Sequence, residues 1–269
     1  MKYFIYCLII CIFTILFIML SCDNVENMSV LNKDIRILNL VLYSDDKDYD
    51  DMYKITREYY KKFNNVKTIY YKFSGLTDGS TYLKDDILYI TGTETYTPGI
   101  LDKTIKAFTY FQNKNDDYDY VIRTNISTIV NFDLLLKELK NNSISYGGGL
   151  INNFNWEYYY TKQILDASYQ GTVYASGTAI IMSWDFFNKF LSKKDYIDYR
   201  IIDDVAIGIL IKQHFPNIVP FDIGHFVFVD NYDENIIKSQ LKDTIFYRNR
   251  TENRSNDVIT MKKITAFLL

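Results

Sequence analysis

Two short polar segments of the 269-residue sequence contain residues whose side chains can transfer protons or bind anions. The pair Asp203-Asp204 opens an apolar stretch with helical spacing. A carboxylate there either caps free backbone N–H groups or acts as a general base. The segment Arg123 to Ser127 ends an aromatic and β-branched run, and Arg248 lies near the C-terminus. Guanidinium groups bind oxyanions as forked donors, so these residues suit proton transfer and anion binding.

The chain that must position these residues alternates strand patterns with helix patterns. β-Branched and aromatic runs predict strands, and apolar residues at helical spacing predict the helices between them. This alternation predicts an α/β domain, with a mixed, mainly parallel sheet covered by helices on both faces. The predicted strands are 35–44, 66–73, 86–91, 118–124, 145–151, 178–183 and 217–223. The predicted helices are 50–63, 99–111, 131–140, 184–191 and 203–215.

Ligands of such sheets bind beyond the carboxyl ends of the strands. The places that this rule selects are Tyr43 to Asp46, Thr91 to Glu94, Arg123 to Ser127 and Ser176 to Asp185. The first strand is followed by YSDDKD rather than by a glycine-rich pattern, which disfavours dinucleotide-binding and P-loop enzymes. The sequence also has no Gly-x-Ser-x-Gly elbow, which disfavours a hydrolase of that type.

The amino-acid composition excludes further classes of partner and of metal site. With 48% hydrophobic and 23% charged residues, the chain has enough apolar surface for a packed core. The net charge is −3 without a basic block, so nucleic acid is not expected as a partner. All three cysteines lie within the first 22 residues, which excludes disulfides and cysteine-ligated zinc from the rest of the chain. Only two histidines are present, so a multi-histidine metal site is excluded.

The N-terminus carries an apolar run from Tyr3 to Ser21. As a helix, such a run spans about 28 Å, close to the thickness of a bilayer core. The single charge of Lys2 favours an inside N-terminus. The stretch MLSC also loosely resembles a bacterial lipobox, with Cys22 as the acylated residue. We therefore expect membrane association, either through a single-pass signal-anchor helix or through a lipid on Cys22. The expected regions are 1–22 as this segment, 23–34 as a linker and 35–269 as the folded domain.

Four segments, in order, share motifs and spacing with a known family. They are GTETYTPGILDKTIKAFTYF, YDYVIRTNISTIVNFDLLLKEL, YASGTAIIMSWDFFNKFL and IDDVAIGILI. They resemble the GT-A glycosyltransferases of the β-1,3-galactosyltransferase and Fringe type, over roughly residues 35–269. The resemblance implies a GT-A-like, Rossmann-like fold. It also implies inverting transfer of a hexosyl or N-acetylhexosaminyl group from a nucleotide-sugar, UDP-linked, to a glycan acceptor.

Transferred to matching positions, the family's roles make Asp204 the general base. The alternative is that Asp204 is only a helix cap, and that Gly177 only forms a tight bend. Lys103 is expected to form an ion pair rather than to touch the ligand. The residues expected to bind the donor are Tyr43, Ser44, Asp45, Glu94, Arg123, Asn125, Ser127 and Arg248. Those expected near the sugar or the acceptor are Ser176, Gly177, Asp203 and Trp156.

The sequence departs from the family at its metal-binding Asp-x-Asp motif. The family's acidic positions fall on Asn125, Ile126 and Ser127, and neutral Asn and Ser are weak ligands for Mn²⁺ or Mg²⁺. We therefore predict no metal ligands and no required cofactor, with Mn²⁺ or Mg²⁺ as a weak activator at most. The residues predicted to hold the diphosphate instead are Arg123, Arg248 and Arg250. The alternative is that these arginines are ordinary surface residues, above all Arg250.

The lost acidic pair also supports a hypothesis from another class. A catalytically inactive surface binding protein, or lipoprotein, on the same fold would need no metal ligands. The side of the membrane on which the domain lies stays open. An exported lipoprotein would meet few nucleotide-sugars, whereas a domain in a secretory lumen or in the cytoplasm would meet them.

Overall fold

The computed structural model describes residues 34–75, 79–114, 116–154, 166–229 and 243–269. Its strands are β1 (Ile37–Leu42), β2 (Val66–Phe73), β3 (Tyr82–Lys84), β4 (Ile87–Ile90), β5 (Tyr120–Asn125), β6 (Thr128–Val130), β7 (Tyr146–Gly148), β8 (Ile151–Phe154), β9 (Thr172–Ala175), β10 (Ala179–Ser183), β11 (Phe221–Asp222), β12 (Phe226–Val229) and β13 (Phe246–Asn249). Its α-helices are α1 (Lys47–Tyr60), α2 (Gly99–Gln112), α3 (Phe132–Asn141), α4 (Trp184–Leu191), α5 (Asp203–His214) and α6 (Arg254–Phe267). Two short 3₁₀ helices cover Ala167–Tyr169 and Lys194–Tyr196.

An eight-stranded sheet forms the centre of the fold, in the order β11-β7-β10-β5-β1-β2-β4-β3. The pairs β5-β1, β1-β2, β2-β4 and β11-β7 are parallel, while β10 and β3 run against their neighbours. Leu42 lies opposite both Tyr71 and Asn125, so the central strands end at one level. The predicted mixed, mainly parallel sheet is confirmed.

Helices cover both faces of this sheet, because successive side chains of a strand point to opposite faces. Leu38 and Leu40 of β1 belong to a core that includes residues of α2, α4 and α5. Ile37 and Val41 belong to a second core that includes residues of α1, α3 and α6. The predicted coverage of the sheet by helices on both faces is therefore also confirmed.

The direction of β10 corrects one prediction. β10 is antiparallel to β5, with Ala179 opposite Thr124. The start of β10 therefore lies at the carboxyl edge of the parallel strands, and its end lies at the opposite edge, where the Trp184 N–H donates to the Asp119 carbonyl at 2.8 Å. Only the first part of the predicted ligand-facing segment Ser176 to Asp185 is at the ligand edge. Sequence pattern locates a strand but does not give its direction.

A second, three-stranded sheet of β12, β13 and β6 was not predicted, and neither was α6. β13 is antiparallel to β6, which places Arg248 opposite Thr128, just beyond the end of β5. Asn253 caps α6 by accepting a hydrogen bond from the Ser255 N–H at 3.1 Å. Met261 and Ile264 bury one side of α6 in the core. These elements bring the C-terminal arginines to the carboxyl edge of the main sheet.

The predicted N-terminal apolar segment, Tyr3 to Ser21, and Trp156 lie outside the described residues. Among the helices that are described, none is both long enough and apolar enough to span a membrane.

Candidate functional site

A buried arginine joins three elements at the carboxyl edge. Arg123, at the end of β5, is 2% exposed. Its Nε donates to the Tyr71 hydroxyl at 3.2 Å, its Nη1 donates to the Gly177 carbonyl, and its Nη2 donates to the Asp203 carboxylate. Asp203 is itself 4% exposed, so the two residues form a buried ion pair. All the contacts that the structure gives Arg123 are internal. Its predicted contact with a donor diphosphate stays untested, and the geometry favours a positioning role.

The next residue, Asp204, presents a carboxylate held in a defined orientation. One oxygen accepts from the Gly177 N–H at 2.8 Å, and the other accepts from the Val205 N–H at 2.9 Å. The residue as a whole is partly exposed to solvent. Burial and the negative charge of Asp203 raise the pKa of Asp204 to about 6, although the Gly177 N–H and Arg123 act in the other direction. An oriented carboxylate with a pKa near neutral is suited to accept a proton.

At Gly177, a larger residue would press on the side chain of Arg123. A Cβ at this position would lie 2.8 Å from Nη1 of Arg123 and 3.4 Å from Oδ2 of Asp204. The glycine therefore allows the backbone to approach both side chains, which is more than a bend requires. The neighbouring Ser176 is partly exposed, and its Oγ accepts from the Thr178 N–H at 3.4 Å.

The end of β1 divides into core and edge residues. Tyr43 is 3% exposed, donates its hydroxyl proton to Asp50 and stacks on Tyr53 with ring centroids 5.6 Å apart. Its side chain therefore packs against α1, and its predicted contact with the donor stays untested. Ser44 is partly exposed, and Asp45 is exposed. Those two side chains stay at the edge.

A second buried cation, Lys103 of α2, ties that helix to the end of β1. Its Nζ donates to the Tyr43 carbonyl at 3.0 Å and to both carboxylate oxygens of Glu94 at 2.8 Å. Burial lowers the pKa of Lys103, and the contact with Glu94 opposes that shift. The predicted structural ion pair of Lys103 is confirmed. The Glu94 side chain is 47% exposed, so it also remains accessible at the edge.

The segment that replaces the metal motif contacts the C-terminal arginines. Asn125 is partly exposed, whereas Ser127 is 1% exposed and its Oγ accepts a hydrogen bond from Nη1 of Arg248. The hydroxyl of Ser127 thus bonds to Arg248 in this structure, and the predicted contact of Ser127 with the donor stays untested. Burial and the positive charges of Arg254 and Arg250 lower the pKa of Arg248.

These positions do not fit Mn²⁺ or Mg²⁺. Their side chains are neutral, and a guanidinium group that bonds to Ser127 would repel a metal cation there. In the part of the chain that the structure describes, no three His, Cys, Asp or Glu side chains are grouped so that they could hold a metal ion. The independence from metal itself stays a prediction.

The structure adds residues that the motifs did not indicate. Tyr71 supports Arg123, and its hydroxyl lies 3.0 Å from Thr104 Oγ1. Tyr71 belongs to an aromatic strand in which no local signal distinguishes it. Arg254 lies close enough to Arg248 to affect its pKa. The cluster of arginines in RNRTENR was the one available signal for Arg254.

Comparison with known proteins identifies no family. No family model matches the chain, and no curated protein matches it in sequence. Among solved structures, it is similar to the crystal structure of a glycosyltransferase involved in the glycosylation of the major capsid of PBCV-1. The alignment covers 85% of this chain and 99% of that chain, at 12% sequence identity and a TM-score of 0.45. A similarity this low carries no argument, so the function proposed below rests on the geometry of this chain and on the motif resemblance of its sequence.

Proposed function

We propose that residues 35–269 form a GT-A-like glycosyltransferase domain. It would move a hexosyl or N-acetylhexosaminyl group from a nucleotide-sugar, UDP-linked, to a glycan acceptor with inversion. The observation that carries the proposal is Asp204 at the carboxyl edge of the sheet. Its two oxygens are oriented by backbone N–H groups, and its pKa is raised to about 6. The motif resemblance gives that carboxylate its role.

The proposed step needs one base. The acceptor hydroxyl gives its proton to an oxygen of Asp204 while the hydroxyl oxygen attacks the anomeric carbon. The new C–O bond forms on the face opposite the bond that breaks to the nucleoside diphosphate, so the configuration inverts. Asp203 is less suited to this task, because it is buried and paired with Arg123. We assign Asp203 and Arg123 to positioning.

The donor would lie along the same edge. Ser44, Asp45 and Glu94 are accessible there and are proposed to contact the nucleotide, with Asn125 near the diphosphate. Gly177 donates to Asp204, and Ser176 precedes Gly177 in the chain; both are proposed to lie beside the transferred sugar or the acceptor. Attachment to a membrane through Tyr3 to Ser21, or through a lipid on Cys22, is a proposal from sequence alone.

A donor screen tests the proposal. Full-length protein in detergent is incubated with UDP-sugars, and free UDP is measured with and without glycan acceptors. Asp204→Asn is expected to reduce transfer at least about 100-fold, the usual scale of a lost general base, while the donor Kd stays within about twofold. The matched control is Asp185→Asn, an exposed acid in the first turn of another helix, which should retain activity.

The pH dependence gives an independent check. Since Asp204 must be ionised to accept a proton, kcat/KM should fall as the pH drops below about 6. Full turnover by Asp204→Asn would show that this carboxylate is not the base. If the wild-type protein binds a UDP-sugar but transfers it neither to acceptors nor to water, the alternative of an inactive binding protein holds.

A further inference from the structure

Buried polar atoms without partners are concentrated in one part of the fold. Within the described residues, such side-chain atoms are Thr97 Oγ1, Thr128 Oγ1, Arg248 Nε, Asn249 Oδ1 and Arg254 Nε. All but the first lie on β6, on β13 or at the start of α6. Native proteins leave few such atoms, because an unmade hydrogen bond in the interior is unfavourable. The clustering of these unpaired polar atoms in one part of the fold therefore needs an explanation.

Three of these atoms are hydrogen-bond donors from neighbouring positions. Arg248 and Thr128 are directly opposite each other in the antiparallel pair, so their side chains lie on the same face. Nη1 of Arg254 donates to the carbonyl of Asn249, the residue that follows Arg248, at 3.3 Å, and Arg254 is the charged group that lowers the pKa of Arg248 most. Asn249 lies on the other face of β13, and its amide group donates to the Ser127 and Tyr247 carbonyls, each at 3.4 Å. The donors Thr128 Oγ1, Arg248 Nε and Arg254 Nε thus form a group to which Asn249 does not belong.

The charge around this group is unbalanced. Arg254 is paired with the buried Asp257, and Arg123 is paired with Asp203. Arg248 forms no ion pair within the described residues, and its contact there is the neutral hydroxyl of Ser127. The charged groups that affect it most are other arginines, and they lower its pKa, as does burial. A guanidinium group in this setting is stabilised by an anion with several acceptor oxygens.

We infer that Arg248, with Arg254 Nε and the hydroxyl of Thr128 beside it, forms a phosphoryl-binding subsite that holds the donor diphosphate without a divalent cation. The inference rests on the proposed function, since it names how the leaving group of that reaction is bound. Asn125 and Ser127 precede the subsite and are neutral, so no protein carboxylate at those positions would repel the phosphates. In a site with two acids there, a bridging metal is needed to bring phosphate close. Here the arginine supplies that positive charge.

Of the arginines that the sequence nominated, the structure therefore selects Arg248. Arg123 is committed to internal contacts, and Arg250 is exposed. Arg250 lies two positions from Arg248 on the same segment, so it is a matched control for loss of a positive charge.

Calorimetry on the full-length protein in detergent tests the inference. UDP, UMP, pyrophosphate and inorganic phosphate are titrated in EDTA and in Mn²⁺. UDP is expected to bind the wild-type protein in EDTA, more tightly than UMP. Arg248→Gln should weaken UDP binding about 10- to 100-fold, the usual scale for a charged hydrogen bond. Arg250→Gln should change it by less than about threefold.

Arg248→Lys keeps the charge and loses the forked geometry, so it should weaken UDP binding several-fold less than Arg248→Gln. It also keeps the test decisive if Arg248→Gln does not fold, as judged by circular dichroism. UDP that binds only with Mn²⁺, or equally well to wild type and to both Arg248 variants, would overturn the inference. So would UMP binding as tightly as UDP, or no binding of any of the anions.

The outcomes distinguish failure of the subsite inference from failure of the proposed function. If UDP-sugars are turned over only with Mn²⁺ and Arg248→Gln is fully active, the subsite is wrong and the proposed function stands. If pyrophosphate binds in EDTA through Arg248 but no UDP-sugar is turned over, the subsite stands and the proposed function fails.

Discussion

The raised pKa of Asp204 predicts that its replacement by asparagine stabilises the protein at neutral pH and not at acidic pH. Burial and the charge of Asp203 raise the pKa of Asp204 from its ordinary 3.8 to about 6 in the folded chain. Between these two values the folded state holds a proton that the unfolded state has released. The contribution of this group to stability is therefore fully present below about pH 4 and is lost as the pH rises through about 6.

The magnitude follows from the same numbers. Raising the pKa from 3.8 to about 6 corresponds to roughly 3 kcal/mol, and the partial exposure of the residue reduces this to about 2 kcal/mol. Asparagine has one acceptor oxygen, so it loses one of the two N–H bonds that Asp204 accepts, at about 1 kcal/mol. We expect Asp204→Asn to be more stable than wild type by about 1 kcal/mol at pH 8 and less stable by about 1 kcal/mol at pH 4.

Urea unfolding of full-length wild type and Asp204→Asn in detergent, followed by circular dichroism from pH 4 to pH 8, measures the difference. Asp185→Asn, whose side chain is 76% exposed, is the matched control and should differ from wild type by no more than about 0.5 kcal/mol throughout. If the free energies of unfolding of wild type and Asp204→Asn differ by a constant amount from pH 4 to pH 8, the reasoning is refuted. The carboxyl group would then have the same proton affinity in the folded and unfolded chain.

The remaining predictions concern the groups that surround this carboxylate. Asp203→Asn leaves the buried charge of Arg123 without its partner and should lower the free energy of unfolding by about 3 kcal/mol. Because Asp203 raises the pKa of Asp204, the same variant should also move the acid-side decline of kcat/KM below pH 6, and an unchanged profile would contradict this. Gly177→Ala places a methyl group 2.8 Å from Arg123 Nη1 and should lower both Tm and kcat, at about 1–3 kcal/mol of stability, whereas Ser176→Ala should leave the Tm nearly unchanged. Equal Tm and kcat for Gly177→Ala and wild type would show that the site has more room than the structure indicates.

Local sequence was sufficient for most of the elements that form the main sheet. The predicted strand 66–73 and the predicted helix 184–191 have the observed bounds, because hydrophobic period and end signals are local properties. The three-stranded sheet and α6 were missed. Their strands are only three or four residues long, and the apolar residues of α6 show little helical periodicity. They form through partners far along the chain, such as Arg248 opposite Thr128.

The sequence by itself determined which residue types reach the carboxyl edge, including the acids Asp203-Asp204 and the arginines. Only the tertiary structure decided which of these acids and arginines are buried in ion pairs and which stay accessible. Asp203 meets Arg123 from a strand 80 positions earlier and is buried, whereas Asp204, one residue on, keeps access to solvent. Arg123 is committed inside, and Arg248 is left without an acidic partner within the described residues. Burial and charge partners depend on which distant segments pair, so adjacent residues of one type can have opposite roles.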